Sequence, residues 1–250
     1  MCHDHDSRPP APPRTGAVAV RAALTLTSAD GTAFSAACAL PAEAPRTGVV
    51  ILPDVRGLHP YYVALAERFA EGGSAAVAID WFGRTAGLCD GGTRGPDFDW
   101  QTHMPHTTPE GIDADITAAI AAVREHTATA LPVVTVGFCF GGSHSWRQSG
   151  GDLDLAGCAG FYGRPSVVGD AARRAHLPTV MLIAGADQAT PVDEQLRLAD
   201  TMRTAGADVD VAVYAGAPHS FFDRAFGEWE EACRDAWQHV LALTDRVALH

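Results

Sequence analysis

Six short, almost unbroken apolar runs recur along the chain: "GVVILPD", "AAVAID", "PVVTVGF", "LAGCAGFYG", "TVMLIAG" and "DVAVYAG". Most are rich in Val or Ile and all are too short for buried helices, which is how strands covered on both faces of a parallel sheet read. Between most of them the apolar period lengthens to that of a helix, over residues 61–71, 111–126, 141–148, 191–205 and from Arg224 to about Val247. This alternation predicts an α/β fold with a mostly parallel, doubly wound sheet and helices on both faces. Ahead of it, "AVAVRAALTLTSADG" and "TAFSAACALPA" alternate like strands around the turn signal Asp30-Gly31, and so predict an N-terminal antiparallel hairpin. Residues 1–16 are Pro-rich and polar and read as a flexible arm or a strand-edge wrapper; residues 17–250 read as one domain. The segment 81–110 has no period and many Gly, His and aromatic residues, so it is expected to overhang a functional site.

Composition excludes several classes of function. Hydrophobic residues make up 47% of the 250 positions and charged ones 19%, enough apolar material for a large core. A net charge of -12, with all 18 basic residues arginine, does not provide the clustered cations that nucleic acid demands. No apolar run is long enough to span a bilayer, and the amino terminus lacks the apolar stretch of a signal peptide. Neither nucleic acid nor a membrane is therefore expected as a partner. The six cysteines include no CxxC pair, which fits neither a disulfide framework nor a zinc site and points to a reducing, cytoplasmic location. Cys2, His3 and His5 are metal-ligand types but have no partner pair at a suitable spacing, so no metal and no cofactor are expected.

In open α/β sheets, ligands gather at the carboxyl ends of the strands. Four reactive residues stand there: Asp54 after "VVILP", Cys139 after "VVTVGF", Asp187 after "TVMLIAGA" and His219 after "VAVYAGAP". Gly137-Phe138-Cys139-Phe140-Gly141 has the spacing of a nucleophile elbow, G-x-S-x-G, with cysteine in place of serine. The glycines free space around a strained strand-to-helix turn, and the helix start favours thiolate. With Cys139 as nucleophile, His219 is the base and Asp187 the carboxylate that orients it, in the chain order of the α/β-hydrolase architecture. Two backbone N–H groups, of Phe140 and Val55, are expected to meet the developing oxyanion.

Taken together, "VVILPDVRG", "AAVAIDWFGR", "GFCFGG", "IAGADQATP" and "GAPHSFF" resemble the dienelactone hydrolase family from about Ala17 onward. The resemblance implies an α/β-hydrolase fold, the triad Cys139, Asp187 and His219, oxyanion donors at Val55 and Phe140, and an acid beside the resting thiol at Asp54. It also implies that Arg84 helps to hold a substrate carboxylate. Two positions depart from that pattern: Asp54 stands where the dienelactone enzymes have Glu, and Asp223 where a second arginine would stand, with Arg224 one place away. Dienelactone itself is therefore not the expected preferred substrate. Tyr62, Trp81, His59, His103 and His106 are further pocket candidates, and His144 is expected to face neighbouring strands. Cys38, Cys89, Cys158 and Cys233 read as packing residues. The expected activity is hydrolysis of a small ester or lactone through a thioester acyl-enzyme, in a monomer or homodimer. The alternatives are a thioesterase or acyltransferase on the same triad, or a non-catalytic small-molecule-binding protein on this scaffold.

Overall fold

The structure, a computed structural model, describes residues 7–222 and 227–249. Cys2, His3, His5, Asp223 and Arg224 lie outside the described residues. The strands are β1 (Val18–Thr27), β2 (Ala33–Pro41), β3 (Gly48–Leu52), β4 (Ala75–Ile79), β5 (Val133–Phe138), β6 (Gly157–Phe161), β7 (Thr179–Ala184) and β8 (Val209–Tyr214). The helices are α1 (Pro60–Glu71), α2 (Gly83–Ala86), α3 (Trp100–His103), α4 (Pro109–Thr127), α5 (Phe140–Gln148), α6 (Pro165–Val168), α7 (Val192–Ala205) and α8 (Glu230–Val247).

All eight strands join one sheet in the order β1-β2-β4-β3-β5-β6-β7-β8. The hairpin partners β1 and β2 are antiparallel, β2 pairs antiparallel with β4, and every other pairing is parallel. Strand residues alternate between two apolar layers. Val49 and Ile51 of β3 join α1 and α8 on one face, while Val50 and Leu52 join α4 on the other. A third cluster packs α7 and Trp146 of α5 against Met181 and Val209. Fully burying side chains of this size contributes about 1.5–3 kcal/mol each, which is why the strands read as continuous apolar runs.

Local chemistry sets the helix ends. Thr108 caps α4 by accepting from Gly111 N, with Pro109 in the first turn, and α4 stops at Ala128 in a left-handed conformation. His59 caps α1, its Nδ1 accepting from Tyr61 N at 3.1 Å. Residues 7–16 of the N-terminal arm lie against the body: Pro10 O accepts from Trp237 Nε1, Arg14 pairs with Asp245, and Gly16 N donates to Glu71 O.

The chain leaves β3 for β4 on one side and returns to β5 on the other, so the sheet reverses its winding between β3 and β5. Such a switch point opens a crevice at the carboxyl ends of the two strands. Leu52 pairs with Gly137 there, and Phe138 with Phe161 of β6, which aligns the loops after β3, β5 and β6 along one rim. Among the described residues no helix is long and apolar enough to cross a membrane.

Candidate active site

Cys139 sits at the point where β5 turns into α5, with φ 54° and ψ -109°, a conformation that costs a side-chain-bearing residue strain. The surrounding glycines are required by contact. A Cβ on Gly137 would lie 2.0 Å from Gly141 O, one on Gly141 2.0 Å from Leu52 O, and one on Gly142 2.4 Å from Phe161 O. Backbone bonds hold the turn: Cys139 N donates to Phe161 O at 3.1 Å, and Ser143 N and Oγ donate to Cys139 O at 3.0 and 2.9 Å. As the cap residue of α5, Cys139 stands at the positive end of a helix, which lowers the cost of a thiolate. It is half-buried, whereas the other described cysteines, Cys38, Cys89, Cys158 and Cys233, are buried. Burial pushes the Cys38 and Cys89 thiols up to about 11 and that of Cys158 to about 12, so these three stay protonated at neutral pH.

Two strands away, the loops after β7 and β8 bring Asp187 and His219 together. His219 Nδ1 lies 2.7 Å from Asp187 Oδ2. The other carboxylate oxygen accepts from Ala189 N at 2.8 Å and Thr190 N at 3.2 Å, so the buried carboxylate is fixed on both sides. A carboxylate only accepts, so Nδ1 carries the proton and the lone pair of a neutral ring lies on Nε2. The ring also packs on Tyr162, 4.8 Å away between centroids, a residue held at φ 39° directly after β6. Sequence reading missed Tyr162, although its place at a strand's carboxyl end, in "GFYG", is the same signal that picked out the other residues.

The loop after β3 carries a second constellation. Asp54 is buried, and both of its oxygens are engaged by Arg56: the backbone N–H (2.8 Å) and Nε (3.1 Å) reach Oδ1, and a terminal guanidinium nitrogen reaches Oδ2 at 3.0 Å. Tyr62 OH donates to the same Oδ2 at 2.6 Å and accepts from Asp54 N at 3.0 Å. The Asp54 carbonyl accepts from Trp81 Nε1 and Gly57 N at 3.1 and 3.2 Å. Between these bonded groups, the N–H of Val55 faces no acceptor among the described residues, nor does the N–H of Phe140 at the first turn of α5. Both residues are half-buried.

The pocket candidates fare unequally. Tyr62 and Trp81 are buried, and their polar atoms are directed to Asp54. Arg84 points into the scaffold: Nε meets Asp30 at 2.8 Å and a terminal nitrogen meets Asp115 at 2.7 Å. The bond from Arg84 is the main cause that holds the Asp30 carboxyl down at about 2, while burial pushes Asp115 up against the pull of Arg84 and Ser28. His103 stacks on Phe98, and His106 is exposed. Instead of facing strands, His144 packs against the rings of Phe140 and Trp81, at 4.5 and 6.1 Å, and accepts from Arg147 Nε at 3.2 Å. Burial pushes its pKa down to about 3, so the ring is neutral. Among the described residues no group of three or more His, Cys, Asp or Glu is arranged to hold a metal.

Comparison with known proteins agrees with the fold. A Saccharolobus solfataricus protein assigned as a carboxymethylenebutenolidase is 26% identical over 251 residues, covering 88% of this chain and 96% of the relative. The carboxymethylenebutenolidase of Pseudomonas putida is 27% identical over 146 residues, 56% of this chain and 60% of that one. A dienelactone hydrolase-like promiscuous phosphotriesterase from metagenomic libraries shares the fold at a TM-score of 0.75 and 21% identity, over 92% of this chain and 99% of that one. The model of the dienelactone hydrolase family matches residues 34–247. The chain belongs to the dienelactone hydrolase family of ester and lactone hydrolases.

Proposed function

We propose that the protein hydrolyses a small ester or lactone in two steps through a thioester on Cys139. His219 Nε2 takes the thiol proton, and the thiolate adds to the carbonyl carbon of the substrate. The oxygen of the tetrahedral intermediate accepts from the N–H groups of Phe140 and Val55, each worth roughly 3 kcal/mol to the transition state in comparable sites. The C–O bond then breaks, and the departing alkoxide takes the proton from His219, leaving an acyl-thioester. In the second step His219 removes a proton from water, hydroxide adds to the thioester carbonyl, and the thiolate leaves. Asp187 holds the imidazole in the tautomer that both steps require.

The observation that carries this reading is the Asp187–His219 pair, 2.7 Å apart and in the correct tautomer, on the same rim as a half-buried cysteine on a glycine-walled elbow. Proton abstraction is assigned to His219 rather than Asp54 because both oxygens of Asp54 are already occupied by Arg56 and Tyr62.

The substrate assigned is uncharged. The relatives' name denotes a lactone that bears a carboxylate, but here Arg84 is paired with Asp30 and Asp115, and a net charge of -12 repels anions. The test is turnover of neutral short-chain nitrophenyl esters and lactones, compared with carboxylate-bearing ones, by the parent protein and by Cys139→Ala and His219→Asn. Each variant is expected to lose at least roughly 10³-fold in kcat, and mass spectrometry of a slow ester is expected to place the acyl group on Cys139. Turnover by Cys139→Ala at the parent rate would remove the proposal.

A further inference from the structure

Trp81 was a candidate for contact with substrate, yet it is only 2% exposed, and its one polar atom is directed into the protein. Its acceptor is the Asp54 carbonyl, which belongs to the same peptide unit as the Val55 N–H. The described chain contains no cis peptide bond. In a trans peptide the C=O and the following N–H point in opposite directions across a rigid plane. Fixing the Asp54 carbonyl therefore fixes the direction of the Val55 N–H. Trp81 Nε1 at 3.1 Å and Gly57 N at 3.2 Å hold that carbonyl from the scaffold side, so the N–H is turned the opposite way, where no acceptor among the described residues meets it. The same indole stands edge-on to the ring of Phe140, at 5.4 Å and 85°, and Phe140 carries the second such N–H.

From these contacts we infer that Trp81 is the positioning residue of the oxyanion site: its N–H aims the Val55 donor and its ring braces the Phe140 donor. The inference deepens the proposed function and rests on it. Its physical basis is preorganisation. An N–H stabilises a developing oxyanion strongly only if it already points at that oxygen and need not reorient during the reaction. The Gly57 N–H holds the same carbonyl from inside a tight turn, and the Trp81 indole adds a direction from outside that turn. A hydrogen bond on the carbonyl also polarises the shared peptide and makes its N–H a better donor. Trp81 is itself well placed to do this. Its neighbour Asp80 accepts from Leu58 N at 3.0 Å and Phe82 N at 3.1 Å, which fastens the end of β4 to the loop after β3.

The test replaces Trp81 in the full-length protein in two ways. Trp81→Phe keeps an aromatic ring against Phe140 and removes the N–H; benzothienylalanine at position 81 keeps the bicyclic shape, with sulfur where the N–H was. Both are expected to lose roughly 10- to 100-fold in kcat with KM within about threefold, the pattern of an interaction made in the transition state. Alkylation of Cys139 by iodoacetamide builds no oxyanion, so its rate is expected to stay within about twofold of the parent. A merely structural role would instead slow alkylation along with hydrolysis or lower the stability of the benzothienylalanine protein in urea. Turnover at the parent rate by either folded variant overturns the inference, as does equal loss in hydrolysis and alkylation. If Cys139→Ala still hydrolyses the ester, the proposed function fails; if Cys139→Ala is inactive and the Trp81 variants are unimpaired, only the role of Trp81 fails.

Discussion

A thiol reacts as its anion, so the environment of each cysteine decides which of them is chemistry and which is packing. Desolvation holds the Cys38, Cys89 and Cys158 thiols at about 11 to 12, while Cys139 is half-buried at the start of α5. Brief treatment of the native protein with iodoacetamide near pH 7.5 is expected to label Cys139 and leave those three unmodified; peptide mapping checks this, and equal labelling of Cys38 would contradict it. His144 makes a second single-residue case. Its ordinary value is 6.5, and burial among Phe140, Trp81 and Arg147 lowers it to about 3 in the folded state. The unfolded chain therefore takes up a proton below 6.5 that the folded one refuses. The stability present above pH 6.5 is lost progressively as the pH falls toward 3. Between pH 7 and pH 5 the cost is about 2 kcal/mol. In His144→Gln that slope is absent, so the gap in urea stability between parent and variant is expected to move by that amount in favour of the variant. Titrations elsewhere cancel in the difference.

Elements join at this site with almost no free volume, because the turn from β5 to α5 is pressed against the ends of β3 and β6. Gly141→Ala would place a methyl 2.0 Å from Leu52 O and 2.3 Å from Pro53 O, both backbone atoms of the segment that leads to Val55. Backbone cannot swing aside as a side chain does, so α5 and the loop after β3 would have to separate. The expected cost is about 3 kcal/mol in urea unfolding, together with lost turnover from misplacement of the proposed oxyanion donors. Gly95→Ala, where a Cβ meets nothing within 4 Å, is expected to stay within about 0.5 kcal/mol of the parent. This tight junction was legible in the sequence, since the spacing of Gly137, Gly141 and Gly142 records it directly. The buried strands were legible for a similar reason: Val49 to Leu52 face two apolar layers at once and admit no polar residue. What escaped was pairing at long range. Arg84 meets Asp30 across 54 residues and Asp115 across 31, and no periodicity encodes either contact. The four-residue helices α2 and α3 escaped because a single turn is too short to show a period.

For the molecule as a whole, one buried ion pair helps to fasten the long segment 81–110 to the sheet. Asp80, fully buried at the end of β4, accepts from Leu58 N and Phe82 N, and from the Arg94 guanidinium at 2.7 Å. Arg94 is itself 6% exposed, donates to Gly87 O at 2.6 Å, and lies over the Phe98 ring at 4.7 Å. Three stretches thus meet at two charges: the loop after β3, the end of β4 and the middle of the 81–110 segment. A buried pair of this kind adds little net stability over an apolar pair of the same shape, but removing one partner strands the other in a medium that cannot solvate it. Asp80→Asn keeps an acceptor for only one of the two backbone N–H groups, which reach different oxygens, and leaves the Arg94 cation uncompensated. Its expected cost is about 3–5 kcal/mol. Adding Arg94→Met removes the stranded charge, so the double variant is expected to recover more than half of that loss, with the 81–110 segment still more open to proteolysis than in the parent. A double-variant cycle in urea measures both effects. Additive losses from the two substitutions would show that the pair does not act as a unit and that the segment is held by its apolar contacts instead.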